Sequence, residues 1–309
     1  MKLSVFVVTY NQEKYIRQCL DSILMQKVDF DYEVVIGEDH GTDGTRVICE
    51  EYAAKYPQVR LLPLKERLGI AGNWKRVIGE CKGEYIALCE ADDYWIDPLK
   101  LQKQVNLLDS NNEIGYVFSN CYGEKLTGER FDWWRVNKYY DAPILPLCDL
   151  HYILGHGIMP TTQTVCIRSS CLPSTMPNFM KGHLYADLIF LVVVTWKGGK
   201  IAYIDEPLAV YRQGGITSKY DTYKAVKECV SIRKKLNEYT NYKYDYTLGD
   251  KSSKYKMLYR IWRPYRKYYL MAYYCYIKWH ILKYGFNWKT IKKLTHDTCK
   301  KILYFFDIC

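Results

Sequence analysis

EYIALCEADDYWIDPLKLQKQV, residues Glu84–Val105, reads as a buried strand that ends in a cluster of carboxylates and then opens a helix. Glu84–Leu88 is a short run with β-branched and aromatic residues, the pattern of a strand inside a sheet. Glu90, Asp92 and Asp93 follow where that strand would emerge. Asp97 stands as an N-cap ahead of Pro98 at the first helical position, and Leu101, Val105 and Leu108 recur at helical spacing. Three acids this close repel one another unless a cation lies among them. Hard oxygen ligands suit Mg²⁺ or Mn²⁺, which bind through one or two carboxylates plus substrate phosphates. A solvated acidic turn capping the helix is the alternative that this stretch leaves open.

Upstream, Leu3–Thr9 is a continuous apolar strand followed by the polar turn Tyr10-Asn11-Gln12. Ile16, Leu20, Ile23 and Leu24 then mark an amphipathic helix. Glu33–Ile36 is a second strand ending in Gly37-Glu38-Asp39, and the loop HGTDGT leads into a helix reaching about Tyr56. Val59–Leu64 is a third strand, Ala71–Cys81 a helix, and Glu84–Leu88 the fourth strand. This alternation predicts an α/β fold, a mostly parallel sheet with helices on both faces. In such sheets ligands bind beyond the carboxyl ends of the strands. TYN, GEDHGTDGT and EADD all fall at those ends, so three loops converge on one edge. Downstream, Gly115–Ser119 and Thr164–Arg168 read as strands and Leu188–Trp196 as a buried helix just after Asp187. Lys200–Ile204 and Leu208–Tyr211 read as two short strands around the turn Asp205-Glu206-Pro207. The stretch from Tyr122 to Met159 reads as irregular.

With 309 residues, 49% of them hydrophobic and 25% charged, the chain has a globular composition. No apolar run reaches the roughly 18 residues of a membrane span, and Met1-Lys2 leads into a strand rather than a signal peptide. The 12 cysteines show no Cys-x-x-Cys pair and are read as reduced, mostly buried, in a cytoplasmic protein. Charge divides the chain near Ser218. Residues 1–217 hold 23 Lys and Arg against 27 Asp and Glu; residues 218–309 hold 21 against 7, with 16 of the 31 tyrosines. The latter are read as a separate helical region. Around residues 267–284, Leu270, Tyr273, Tyr274, Ile277 and Ile281 fall near one face. Such a helix suits the interface of an anionic membrane, where each nearby cation adds about 1 kcal/mol. It equally suits a helical appendage packed on the first domain. Nucleic acid is not an expected partner, since no recognition motif accompanies the basic and aromatic residues.

In order, VVTYN, GEDHGTDGT, EADDYW, YADL and IDEPLAVYR make residues 1–217 resemble a glycosyltransferase family 2 enzyme with a GT-A fold. Five motifs in sequence carry the resemblance, each weak alone. It implies metal-dependent, inverting transfer from a nucleotide-sugar donor, UDP being the expected nucleotide. The acceptor would be a hydroxyl of a glycan or lipid-linked glycan in surface polysaccharide synthesis; with the basic tail, the protein itself is expected in the cytoplasm, peripheral at the inner face of the membrane. By the same resemblance Thr9, Tyr10 and Asn11 stand beside the nucleotide, Asp39 with Glu38 accepts hydrogen bonds from the base, and Asn73 lies close by. Glu90, Asp92 and Asp93 match the Asp-x-Asp signature with glutamate in first place. Asp92 would lie near the ribose and share the metal, and Asp93 would hold the Mn²⁺ or Mg²⁺ that bridges the diphosphate. Asp187, in KGHLYADLIF, matches the base that takes the acceptor's proton.

Local roles compete at three of these positions: Asp39 as cap of its turn, Asn73 as a helix-surface amide, Asp187 as N-cap of its helix. The chain departs from the family after Arg212, where no histidine follows in Gln213-Gly214-Gly215-Ile216-Thr217-Ser218. Arg212 or Gln213 is then expected to cover the diphosphate. Two rival readings share these features. A nucleotidyltransferase would carry a Gly-rich, lysine-bearing phosphate loop, which Tyr10-Asn11-Gln12 does not resemble. A membrane-docked assembly protein would keep the fold without turnover.

Overall fold

The structure is a computed structural model, and it describes residues 1–63, 66–133, 143–180, 186–214 and 222–244, with positions 277, 278 and 281. The chain divides into two compact units, Met1–Tyr220 and Asp221–Cys309. The second contributes one described helix of several turns, Thr222–Tyr239. The basic helix expected around 267–284 lies, but for three positions, outside the described residues. Among the described residues no helix is long and apolar enough to cross a membrane.

The first unit is built on one ten-stranded sheet. Its strands are β1 (Leu3–Thr9), β2 (Tyr32–Glu38), β3 (Val59–Leu61), β4 (Tyr85–Glu90), β5 (Tyr94–Trp95), β6 (Ile114–Glu124), β7 (Arg130–Asp132), β8 (Leu147–Cys148), β9 (Cys166–Arg168) and β10 (Lys200–Arg212). The order is β3-β2-β1-β4-β9-β6-β10-β5, with β7 on β6 and β8 on β10. β3, β2, β1, β4, β6 and β10 all run the same way, and the short β5, β7, β8 and β9 oppose them. Helices α1 (Ile16–Leu24), α2 (Thr45–Lys55), α3 (Gly69–Glu80), α4 (Lys100–Ser110), α5 (Leu150–His156) and α6 (Ala186–Thr195) complete the unit.

Covering by helices on both faces explains why β1 is apolar at almost every position. Val5 and Val7 pack in one cluster with Ile16 and Leu20 of α1 and Ile48 of α2. Phe6 turns to Trp74 of α3 at 4.7 Å between ring centroids, and Trp74 meets Phe190 of α6 at 5.7 Å. The α6 helix is buried nearly all round, which is why it carries no polar stripe.

Several elements differ from the sequence expectation, two of them for a clear local reason. The helix after the acidic cluster starts at Lys100, because the Asp97 carboxylate accepts from the Leu99 N–H at 2.6 Å and keeps Pro98 in the preceding turn. The two short strands at Lys200–Ile204 and Leu208–Tyr211 are one 13-residue strand. Pro207 has no N–H to give, and the register with β6 shifts on both sides of it, so the strand bulges without ending. The stretch after Tyr122 contains the end of β6, then β7, β8 and α5.

Candidate active site

Strand register sets the expected site residues side by side. Thr9 at the end of β1 pairs with Glu38 of β2, and Val8 pairs with Glu90 of β4, so three loops leave adjacent strand ends. On the β1–β2 side, Thr9 is buried and its hydroxyl has no partner. Tyr10 lies under the Arg67 guanidinium, 4.1 Å from its ring centroid. Asn11 adopts φ 52°, which lets its side-chain oxygen accept from the Thr42 N–H at 2.7 Å and tie the first loop to the second. Glu38 is fully buried; one oxygen accepts from the Gly41 N–H at 2.5 Å, and the other lies 3.6 Å from Arg46.

Asp39 is buried as well, and its two oxygens accept from the Leu68 and Gly69 N–H groups at 2.7 and 2.8 Å. It anchors the start of α3, while each oxygen keeps a second lone pair for another donor. Asn73 cross-links α3 to β2: its amide donates to the Gly37 carbonyl at 2.7 Å and its oxygen accepts from Arg76 at 2.8 Å. Gly37 is needed for that approach. An alanine Cβ there would sit 2.2 Å from Val77 Cγ2 and 2.6 Å from Asn73 Oδ1. Gly37→Ala is expected to cost about 1–3 kcal/mol and to lower the melting temperature by about 2–4 °C per kcal/mol. Thermal unfolding checks it, and an unchanged melting point would show that α3 moves freely over β2.

On the β4 side, one carboxylate oxygen each from Glu90, Asp92 and Asp93 lie within 4.8 Å of one another. Burial, then the charges of Asp92 and Asp187, push the Glu90 carboxyl up to about 8. Burial also holds Asp92 above its ordinary value, and burial followed by the Asp92 charge pushes Asp93 well up. Asp187 opens α6, accepts from the Leu188 N–H at 2.8 Å, and is pushed up to about 6 by burial. Its charge acts on Glu90, so residues 97 positions apart in the chain share one electrostatic environment. The Arg212 guanidinium donates to the Asp92 carbonyl, not to the carboxylates, and among the described residues no salt bridge reaches these three acids. A hard divalent cation would relieve both the repulsion and the burial cost, so the donor set fits Mg²⁺ or Mn²⁺.

The residues expected beside the donor thus fall into two groups. Thr9, Tyr10, Asn11, Glu38, Asp39, Glu90, Asp92, Asp93 and Asp187 gather around the strand ends. Asn73 and Arg212 are placed nearby with their polar atoms committed to protein partners. Sequence reading did not single out Glu124, Gln18 or Tyr94 as partners of Arg212, and their spacing carries no signal that could have revealed them.

Comparison with known proteins identifies the family of the chain. The family model described as "Glycosyl transferase family 2" matches residues 4–159. An uncharacterized protein of Mycobacterium tuberculosis is 36% identical over 217 residues, 68% of this chain and 58% of that protein, so the chain spans under two thirds of that relative's length. TarS 1-349 of S. aureus, in complex with UDP-GlcNAc, has the same fold at TM-score 0.61 and 19% identity, covering 91% of this chain and 81% of that one. Mannosyltransferase PcManGT from Pyrobaculum calidifontis, in complex with GDP-Man and Mn²⁺, aligns at TM-score 0.54 and 18% identity, covering 89% and 84%. The GT-A architecture expected from the motifs is the one observed. With half of its length matched by the family model and the strand-end acids in place, the chain belongs to glycosyl transferase family 2.

Proposed function

We propose that the protein is a metal-dependent inverting glycosyltransferase that moves a sugar from a nucleotide donor, UDP foremost, to a hydroxyl of a glycan or lipid-linked acceptor in surface polysaccharide synthesis. The observation that carries this reading is the convergence of Glu90, Asp92 and Asp93 within 4.8 Å, with Asp187 in electrostatic reach. Nucleotide-sugars in TarS and PcManGT, and Mn²⁺ in the latter, support it. Residues 1–217 form the catalytic domain. Residues 218–309, with their excess of cations, hold it at an anionic membrane surface on the cytoplasmic side.

Asp93 and Asp92 would hold the cation, Mn²⁺ or Mg²⁺, whose charge would lower the cost of the diphosphate's departure. Thr9, Tyr10, Asn11, Glu38 and Asp39 line the nucleoside side, where the unpartnered Thr9 hydroxyl and the free lone pairs of Asp39 can meet ribose and base. Asp187 takes the proton from the acceptor hydroxyl as its oxygen attacks the anomeric carbon from the face opposite the diphosphate. The bond to the diphosphate breaks as the new one forms, so configuration inverts.

Calorimetry of UDP binding, with and without Mn²⁺, tests the donor site. Binding that Mn²⁺ tightens is the expected result. No UDP binding under either condition would overturn the UDP assignment. Failure to hydrolyse or transfer from any nucleotide-sugar would favour the assembly protein without turnover.

A further inference from the structure

We propose that Arg212 is a positioning residue: it holds the Asp92–Asp93 turn in its metal-binding posture and does not touch the donor's phosphates. The proposal rests on the metal reading above and goes beyond it. Arg212 lies at the end of β10 and uses both main chain and side chain on the acidic turn. Its backbone N–H donates to Asp93 Oδ1 at 2.8 Å, and its Nη1 donates to the Asp92 carbonyl at 2.8 Å. One residue therefore grips two successive acids and leaves Asp93 Oδ2 for another partner.

The rest of the guanidinium is also committed. Nε donates to Glu124 Oε1 at 3.2 Å, and Nη2 donates to the Gln18 side-chain oxygen on α1. The guanidinium also lies over the rings of Tyr15 and Tyr94, its Cζ 4.8 and 4.4 Å from their centroids. Only 10% of the Arg212 side chain is exposed. Glu124 is fixed in turn: its other oxygen accepts from the Tyr94 hydroxyl at 2.6 Å, and that hydroxyl accepts from Arg130 at 2.8 Å. To reach a diphosphate, the guanidinium would have to leave a charge-assisted bond, two further hydrogen bonds and two aromatic faces. A planar fork with several donors suits a strut of this kind, and a lysine cannot reproduce it.

The test is Mn²⁺ binding to the full chain without nucleotide, followed by the paramagnetic resonance of free Mn²⁺, alongside calorimetry of UDP without metal. Arg212→Gln is expected to weaken Mn²⁺ binding by about 10–100-fold, the usual effect of removing a group that orients a metal ligand. UDP affinity without metal should stay unchanged. Arg212→Lys should fail to restore Mn²⁺ affinity, and Glu124→Gln, which leaves the guanidinium in place but loosens it, should shift it several-fold in the same direction. If Arg212→Gln does not fold, these last two variants carry the test. Unchanged Mn²⁺ affinity would overturn the proposal, and restoration by lysine together with weaker metal-free UDP binding would make Arg212 a phosphate ligand and overturn it too. Wild-type protein that takes up no Mn²⁺ overturns the metal reading itself, a failure visible without any variant.

Discussion

Asp93→Asn is expected to lower kcat/KM by about three orders of magnitude, the equivalent of about 4 kcal/mol at the transition state, while the chain stays folded. The asparagine oxygen can still accept from the Arg212 N–H, so the turn keeps its shape. The charge that would hold the cation is gone. Burial already disfavours that charge, since it pushes the Asp93 carboxyl well above its ordinary value. The metal-free variant should therefore melt no lower than the parent, and addition of Mn²⁺ should raise the melting temperature of the parent alone. Turnover near the parental rate in Asp93→Asn would remove the metal from the mechanism.

Asp187→Asn is expected to lower kcat by about 10²–10⁴-fold, the range for losing a general base, with UDP and Mn²⁺ affinities unchanged. Asparagine preserves the acceptor for the Leu188 N–H, so α6 keeps its start. The pH profile separates a base from a helix cap. Burial raises the Asp187 carboxyl to about 6, and only the ionised form accepts a proton. The kcat/KM of the parent should be level above about pH 6 and fall tenfold per pH unit below it. A variant lacking the carboxylate should lose that limb. Linkage gives the matching stability effect: the folded state binds this proton more tightly than the unfolded chain, so stability falls as pH rises from about 4 to about 6. A parental profile flat from pH 5 to 8 would dismiss Asp187 as the base.

Much of the framework was legible in the sequence because burial on both faces writes long apolar runs. Leu3–Thr9 is β1 at the same two boundaries, and the amphipathic stripe of Ile16, Leu20 and Ile23 is α1. The acids after β4 stood out as well, since apolar strands seldom end in three carboxylates. What stayed hidden has physical causes. Two residues, Tyr94 and Trp95, are too few to show a period, so β5 is visible only through its pairing with β10. A proline beside two acids reads as a turn, although β10 absorbs it as a bulge. The anchoring of α3 by Asp39 joins residues 29 and 30 positions apart, and no local pattern encodes a contact of that span. The fate of the Arg212 guanidinium is hidden for the same reason.

The placement of β9 between β4 and β6 has a consequence for how the chain comes off the ribosome. Asp92 and Asp93 are synthesised early, but β9 brings the strand that separates their neighbours only at residues 166–168, and Arg212 follows 119 positions after Asp93. Non-local pairings of this kind close late, after the entropy of a long intervening loop has been overcome. A nascent chain halted near residue 159 would already present the parallel strands β1–β4 and all three acids. It would lack both the strand that completes the centre of the sheet and the arginine that fixes the turn. Competence for the cation should therefore switch on in one late step, when β10 docks, and a translation series truncated before and after residue 212 would show it as a jump.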